Sequence, residues 1–255
     1  MSAAMVSLPS SLGAATISYP LFFTAGVAAG MLWLIAVETE PDLAHRQRLT
    51  NDPVIAGVVM LATGLFMARL TFILLHGSYY FSHPLEIFYI WQGGLSGIGG
   101  FAGALIGLGI YARVRGESFT AYADALAIPG AIIASSCWLG CWMDGCAYGI
   151  PLESQFPLLT GFDMFNSETL RWPTQATGAI FSLLSVGVLI TLKGRLPQGI
   201  LGMVSLTSIA LGVFVVSLFR SDPILLIAGF RIDTMAALGL ALLGIGGILI
   251  VKRNK

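Results

Sequence analysis

Seven stretches of this chain are long and apolar enough to cross a lipid bilayer, and that repetition leaves few folds open. They lie at about residues 17–37, 54–75, 89–112, 125–143, 175–192, 199–219 and 234–251. A helix needs about 20 predominantly apolar residues to span the hydrocarbon core. The runs are continuous and do not alternate with period two, which selects helices over a barrel. Only 10% of the residues are charged, where soluble domains carry roughly 25%. The expected fold is an all-α membrane protein with seven transmembrane helices, a single polytopic domain over residues 1–255.

The basic residues set the orientation. Nine of thirteen Lys and Arg fall on every second connection or at the C-terminus: Arg46, Arg48, Arg113, Arg115, Lys193, Arg195, Lys252, Arg253 and Lys255. Positive charge is retained on the cytoplasmic side, so the N-terminus is expected outside and the C-terminus inside. The first 37 residues carry no charge. A signal peptide needs a basic n-region, so the first apolar run reads as a retained helix. The outer connections are then residues 76–88, 144–174 and 220–233, the second forming a small cap with short helices. Net charge is zero, so bulk charge implies no nucleic-acid partner.

Four arginines escape this pattern. Arg69 lies inside the second span, toward its outer end, and Arg171, Arg220 and Arg231 lie on the outer connections. A charge at depth costs about 2.5–3.5 kcal/mol on insertion scales, so it is paired, hydrated or used. Arg69 reads either as a snorkelling side chain or structural ion pair, or as an anion site, because guanidinium matches phosphate with two parallel hydrogen bonds. Asp222 and Asp233 stand close to Arg220 and Arg231, which leaves salt bridges open as an alternative. Together the four arginines could line an outer pocket for an anionic lipid.

The stretch WQGGLSGIGGFAG, residues 91–103, carries Gly93, Gly94, Gly97, Gly99, Gly100 and Gly103. Small residues serve close helix packing in lipid. Paired glycines also weaken a helix, at about 1 kcal/mol each, so an unwound entry whose N–H groups face a ligand is the other reading. The stretch CWLGCWMDGCAYG, residues 137–149, holds all three cysteines, with Cys137 and Cys141 on one helix face. No histidine accompanies them, which argues against zinc. They read as polarizable packing residues, and a disulfide is not the expectation. Asp144 ends the fourth span as an interfacial anion or as a group that orients an arginine. His76, His83 and Glu86 are the titratable groups of the first outer connection. No G-x-S-x-G, H-E-x-x-H or P-loop pattern occurs, and no cofactor is expected. A solute transporter would want polar groups at mid-membrane, and apart from Arg69 the spans offer few.

The order of these motifs resembles the prolipoprotein diacylglyceryl transferases of bacterial inner membranes, over about residues 60–250. The resemblance is carried by MARL around Arg69 and by HPLEIFYIWQGGLSGIGGFAGALIG. It continues through LGCWMDGCAYG, WPTQ at 172–175, LFR ending at Arg220 and a Gly-rich last span. It implies transfer of the diacylglyceryl group of phosphatidylglycerol to the thiol of a prolipoprotein lipobox cysteine, with glycerol phosphate leaving. Arg220 and Arg69 would then hold the lipid phosphate, and Asp144 would orient one of them. Gly93, Gly94, Gly99, Gly100, Gly140, Gln175 and Arg171 would shape the substrate site. His83 or Glu86 would be left to take the thiol proton.

The chain departs from the family pattern at definite places. Gly-Arg-x-Gly-Asn-Phe-x-Asn-Gly-Glu-x-x-Gly appears as residues 137–149, so Trp138, Cys141, Asp144 and Cys146 stand where Arg, Asn, Asn and Glu are expected. Ile98 replaces a histidine. His-Pro-Ser-Gln-Leu-Tyr-Glu appears as residues 172–178, opening with Trp172 and closing with Gly178. The phosphate-binding half is retained and the acid–base half altered. The alternative is an anionic-lipid- or lipoprotein-binding membrane protein that kept the fold without catalysis.

Overall fold

The computed structural model describes residues 18–38, 53–89, 93–152, 160–162 and 168–253. It is mostly helical. Seven helices are long and apolar enough to cross a membrane: α1 (Ser18–Glu38), α2 (Pro53–Leu75), α4 (Gly97–Arg115), α5 (Phe119–Asp144), α6 (Thr174–Leu192), α7 (Ile200–Ser217) and α8 (Ile232–Arg253). A short α3 (Gly77–Ser82) and a 3-10 turn (Pro84–Phe88) follow α2. Two strand pairs complete the described chain. β1 (Thr160–Phe162) runs antiparallel to β2 (Glu168–Leu170), and β3 (Leu226–Ile227) antiparallel to β4 (Phe230–Arg231). The basic cluster at Arg46 and Arg48 lies outside the described residues.

The chain divides into two compact units. One holds Met31–Ile128, Leu189–Thr207 and Gly239–Lys255. Its main seam joins α2 and α4. Gly99, Gly103 and Gly107 recur every fourth residue, so they share one face of α4. A Cβ at these positions would overlap Thr71, Met67 and Thr63 respectively. A Cβ on Gly100 would lie 3.3 Å from that of Ala68. Here small residues let two backbones approach, as in other membrane helices. A buried cluster of Leu34, Ala56, Leu108, Tyr122 and Leu126 packs beside the seam. Asp124 accepts the N–H groups of Gly199 and Gly202 and so caps the orphan amides at the start of α7.

The other unit holds Met1–Gly30, Pro129–Val188 and Ser208–Leu238. α1 packs on α5 through Gly26 against Ser136, Gly30 against Pro129, and Gly140 against Tyr19 and Phe22. α6 packs on α5 where Trp138 lies flat against Gly178, leaving no room for a Cβ there. Gly212 gives α7 the same close approach to Phe181.

Two expectations need correction. The third span starts at Gly97 instead of residue 89, because Gly93 (φ +88°) and Gly94 (φ +74°) hold a left-handed backbone that a helix cannot include. Ser96 caps the helix instead, its side chain accepting the Gly99 N–H. The described part of the 144–174 connection forms extended pairings and the β1–β2 hairpin, not short helices.

Candidate functional site

Arg69 is buried, at 8% exposure. Its donors go to main-chain oxygens: Nε to Ile87, Nη1 to Gly93 and Gly94, and Nη2 to Glu86, at 2.5–3.0 Å. The Tyr80 ring lies 5.4 Å from its guanidinium carbon. The unwound entry to α4 therefore presents carbonyls to a protein cation. Gly94 is obligatory in this arrangement, since a Cβ there would fall 2.7 Å from Arg69 Nη1. Arg69 thus ties the 3-10 turn and the glycine entry to α2. The same loop carries Glu86, which accepts the Tyr79 hydroxyl at 2.8 Å and thereby holds the phenol above its ordinary pKa. His83 stacks on Tyr79 at 4.7 Å.

The other arginines stand around the connection that follows α5. Gly145, at φ +67°, reverses the chain and returns Cys146 to Cys141, with which it forms a disulfide. This corrects the expectation of three packing cysteines, and only Cys137 is a free thiol. The reversed segment is pinned from α6: Gln175 Nε2 donates to the Cys146 carbonyl at 2.9 Å, and Thr174 Oγ1 to the Ala147 carbonyl at 2.6 Å. Residues 148–152 then run extended between two neighbours. On one side Ile150 N–H meets Phe219 O and Ser221 N–H meets Tyr148 O. On the other Leu152 N–H meets Leu170 O and Trp172 N–H meets Ile150 O. Gly149 has no space for a side chain against Trp172. It forms a bridge with Arg220, as Pro151 does with Arg171. Arg171 stacks 4.8 Å above the Tyr148 ring and donates to the Gly149 carbonyl. The disulfide closes a short loop, which constrains the unfolded chain by about 2 kcal/mol. Cys146→Ser is expected to lower stability by about that amount, read by thermal unfolding in detergent. A reducing agent should lower the wild type equally and leave the variant unmoved.

Arg220 and Arg231 form a quartet with two aspartates. Arg220 grips Asp222 with Nε and Nη2, at 2.8 and 2.6 Å, and reaches Asp233 with Nη1 at 3.1 Å. Arg231 spans the same two carboxylates, at 3.2 and 3.0 Å, and donates to the Asp222 carbonyl at 2.9 Å. Asp233 is itself buried in the first turn of α8, where it accepts the Thr234 N–H. Burial opposes the Arg231 charge, but the Asp233 and Asp222 carboxylates outweigh it and hold the guanidinium above its ordinary pKa.

The expectation that Asp144 orients an arginine is not met. Its described bond goes instead to the Tyr19 N–H at 3.0 Å, in the first turn of α1, where amides lack helical partners. Its other oxygen is buried with no hydrogen-bond partner among the described residues. The structure brings Asp144, Gln175, Arg171 and Arg220 into one unit, around the 145–152 segment. Arg69, Gly93, Gly94, Gly99 and Gly100 belong to the other unit. Gly99, Gly100 and Gly140 sit at helix–helix contacts. The roles of Thr174 and Tyr19 have no signal in the sequence beyond their place at helix starts.

Fold and site together define a polytopic membrane protein with arginines gathered on short connections at its helix ends. The chain belongs to the prolipoprotein diacylglyceryl transferase family, whose profile matches residues 10–250. It is similar to several proteins named phosphatidylglycerol–prolipoprotein diacylglyceryl transferase. One, from Trichormus variabilis, is 30% identical over 236 residues, 84% of this chain and 80% of the relative. Another, from Nostoc sp., is 28% identical over 243 residues, 86% of this chain and 83% of its own length. A third, from Streptococcus uberis, is 27% identical over 232 residues, 87% of this chain and 88% of the relative.

Proposed function

We propose that this chain transfers the diacylglyceryl group of phosphatidylglycerol to the lipobox cysteine thiol of a prolipoprotein. The family match over residues 10–250 carries the reading. The protein lies in a bacterial plasma membrane with its N-terminus outside, as the basic residues indicate. A disulfide on the connection assigned to the outer face supports that orientation, because disulfides persist in oxidising compartments.

The reaction forms a carbon–sulfur bond at the glyceryl carbon and breaks that carbon's bond to the phosphate oxygen. Glycerol phosphate departs with the electron pair. Arg220 holds the phosphate, which displaces Asp222 from the Nε–Nη2 edge, one oxyanion fork replacing another. The thiol proton goes to Asp144, one oxygen of which holds the Tyr19 N–H while the other has no hydrogen-bond partner among the described residues. Arg69 shapes the loop that leads into α4, and Arg171 and Gln175 set the 145–152 segment beside Arg220.

Transfer from labelled phosphatidylglycerol to a lipobox peptide tests this. Arg220→Ala is expected to lower kcat/KM by about 100- to 1,000-fold, as loss of a charge-stabilising donor does. Asp144→Asn keeps an oxygen for the Tyr19 amide, so it should fold normally and still lose turnover. Full activity in either variant removes that residue from the mechanism. A second reading, lipid binding without transfer, is favoured by one observation: Arg220 and Arg231 already share Asp222 and Asp233. Absence of transfer by the unmodified protein would put it first.

A further inference from the structure

Residues 223–230, Pro-Ile-Leu-Leu-Ile-Ala-Gly-Phe, run for eight positions without a polar side chain, yet they lie outside every span. They form the β3–β4 hairpin between α7 and α8. Its turn, Ala228 (φ +51°) and Gly229 (φ +81°), takes positive φ at both residues, which matches the twist of a two-residue hairpin. Register pairs Ile227 with Phe230 on one face and Leu226 with Arg231 on the other. Leu226 is 58% exposed and Phe230 66%, so the apex is apolar and uncovered on both faces.

We infer that this hairpin is an interfacial anchor, seated among the lipid headgroups and upper acyl chains of the adjoining leaflet. Three observations select lipid as the occupant. Beyond the charged base, apolar residues are again exposed: Leu218 just past the end of α7, and Met235 and Leu238 on α8. Lipid already covers those faces if the helices span the bilayer. The hairpin has only two short strands, so its open edges leave backbone groups unpaired. These groups forbid the hydrocarbon interior and suit the hydrated interface, where water can reach them. The charges stop at the base: Arg220, Asp222, Arg231 and Asp233 bond one another there and fix the angle at which the hairpin leaves the helices. The Arg231 Nη1 bond to the Asp222 carbonyl and the Ile232 N–H bond to the Leu225 carbonyl hold its two legs together. The inference does not depend on catalysis. A transferase and a lipid-binding relative would both need such an anchor to keep the Gly149–Arg220 bridge at headgroup depth.

Nitroxide labels at Leu226→Cys and Phe230→Cys test both faces. The protein is placed in nanodiscs of phosphatidylglycerol and phosphatidylcholine, with the unsubstituted chain as the blank for Cys137. Collisional broadening by oxygen and by a water-soluble nickel chelate is then compared. Leu238→Cys serves as the reference for the lipid-facing surface and Ser118→Cys for a water-facing loop. Expected are strong oxygen broadening and loss of nickel broadening at both hairpin positions, as at Leu238→Cys. Nickel broadening like that of Ser118→Cys at either position overturns the anchor. Shielding from both reagents also overturns it, because protein would then cover the hairpin. If Phe230→Cys fails to accumulate, Leu225→Cys gives the same reading.

Discussion

Arg69→Met should unfold the connection between α2 and α4 and cost the protein about 3–5 kcal/mol, a magnitude reserved for broken buried polar networks. Four carbonyls, those of Glu86, Ile87, Gly93 and Gly94, would lose their common donor at once. A hydrogen bond to a charged group contributes about 1.5–3 kcal/mol, and a buried acceptor left without one bears its full desolvation cost. The sum is not reached, because the loop can relax toward water. Arg69→Lys should restore little. An ammonium offers three donors from one point, where the guanidinium presents a planar fork of five. Thermal unfolding in detergent and protease cleavage between residues 83 and 96 would measure both effects. A methionine variant within about 0.5 kcal/mol of the parent, the range of ordinary surface changes, would show that Arg69 is not the tie described.

Asp233→Ala carries the second large effect, also about 3–5 kcal/mol, because it strands charge that is mostly withdrawn from water. The side chains of the quartet expose only 8–16% of their surface. Removing Asp233 leaves two guanidinium groups to one carboxylate and takes the acceptor from the Thr234 N–H in the first turn of α8. The double variant Arg231→Met, Asp233→Ala should be less damaging than the sum of the single changes, since it removes charge in a pair. Adding the single effects would mean that the two do not interact. High salt should rescue little, as buried pairs are weakly screened. Arg231 has a raised folded pKa, so its stabilisation is present below the unfolded value and is lost only as pH rises through the folded one. No loss is therefore expected anywhere in the neutral or moderately alkaline range.

The spans are plain in the sequence because the bilayer demands length and apolarity, and both are counted residue by residue. Where hydropathy and backbone geometry part, sequence reading fails. Residues 89–96 are apolar enough to continue a helix, but Gly93 and Gly94 fold the other way, and only the paired glycines hint at it. Arg69's partners are main-chain oxygens, which any residue supplies, so nothing in the sequence marks them. The disulfide is easily missed because Cys137 and Cys141 share a helix face. The better clue is Asp144-Gly145, a turn lying between two cysteines. Asp222 and Asp233 are visible as neighbours of their arginines, yet their cross-linking into one quartet depends on the hairpin between them. The departures from the family pattern also make sense in pairs. Cys141 and Cys146 are bonded to each other, and Trp138 fills the space that Gly178 leaves open. Each pair replaces two expected polar groups with a contact that only the folded chain reveals.

The covalent link between Cys141 and Cys146 also bears on how the molecule is made. On the orientation proposed above, both cysteines leave a reducing cytosol as thiols, so insertion alone does not make this link. Maturation would wait until that segment meets an oxidant beyond the membrane. A host whose thiol-oxidising machinery is impaired should accumulate chains that are correctly threaded but loosely tethered beside Arg220.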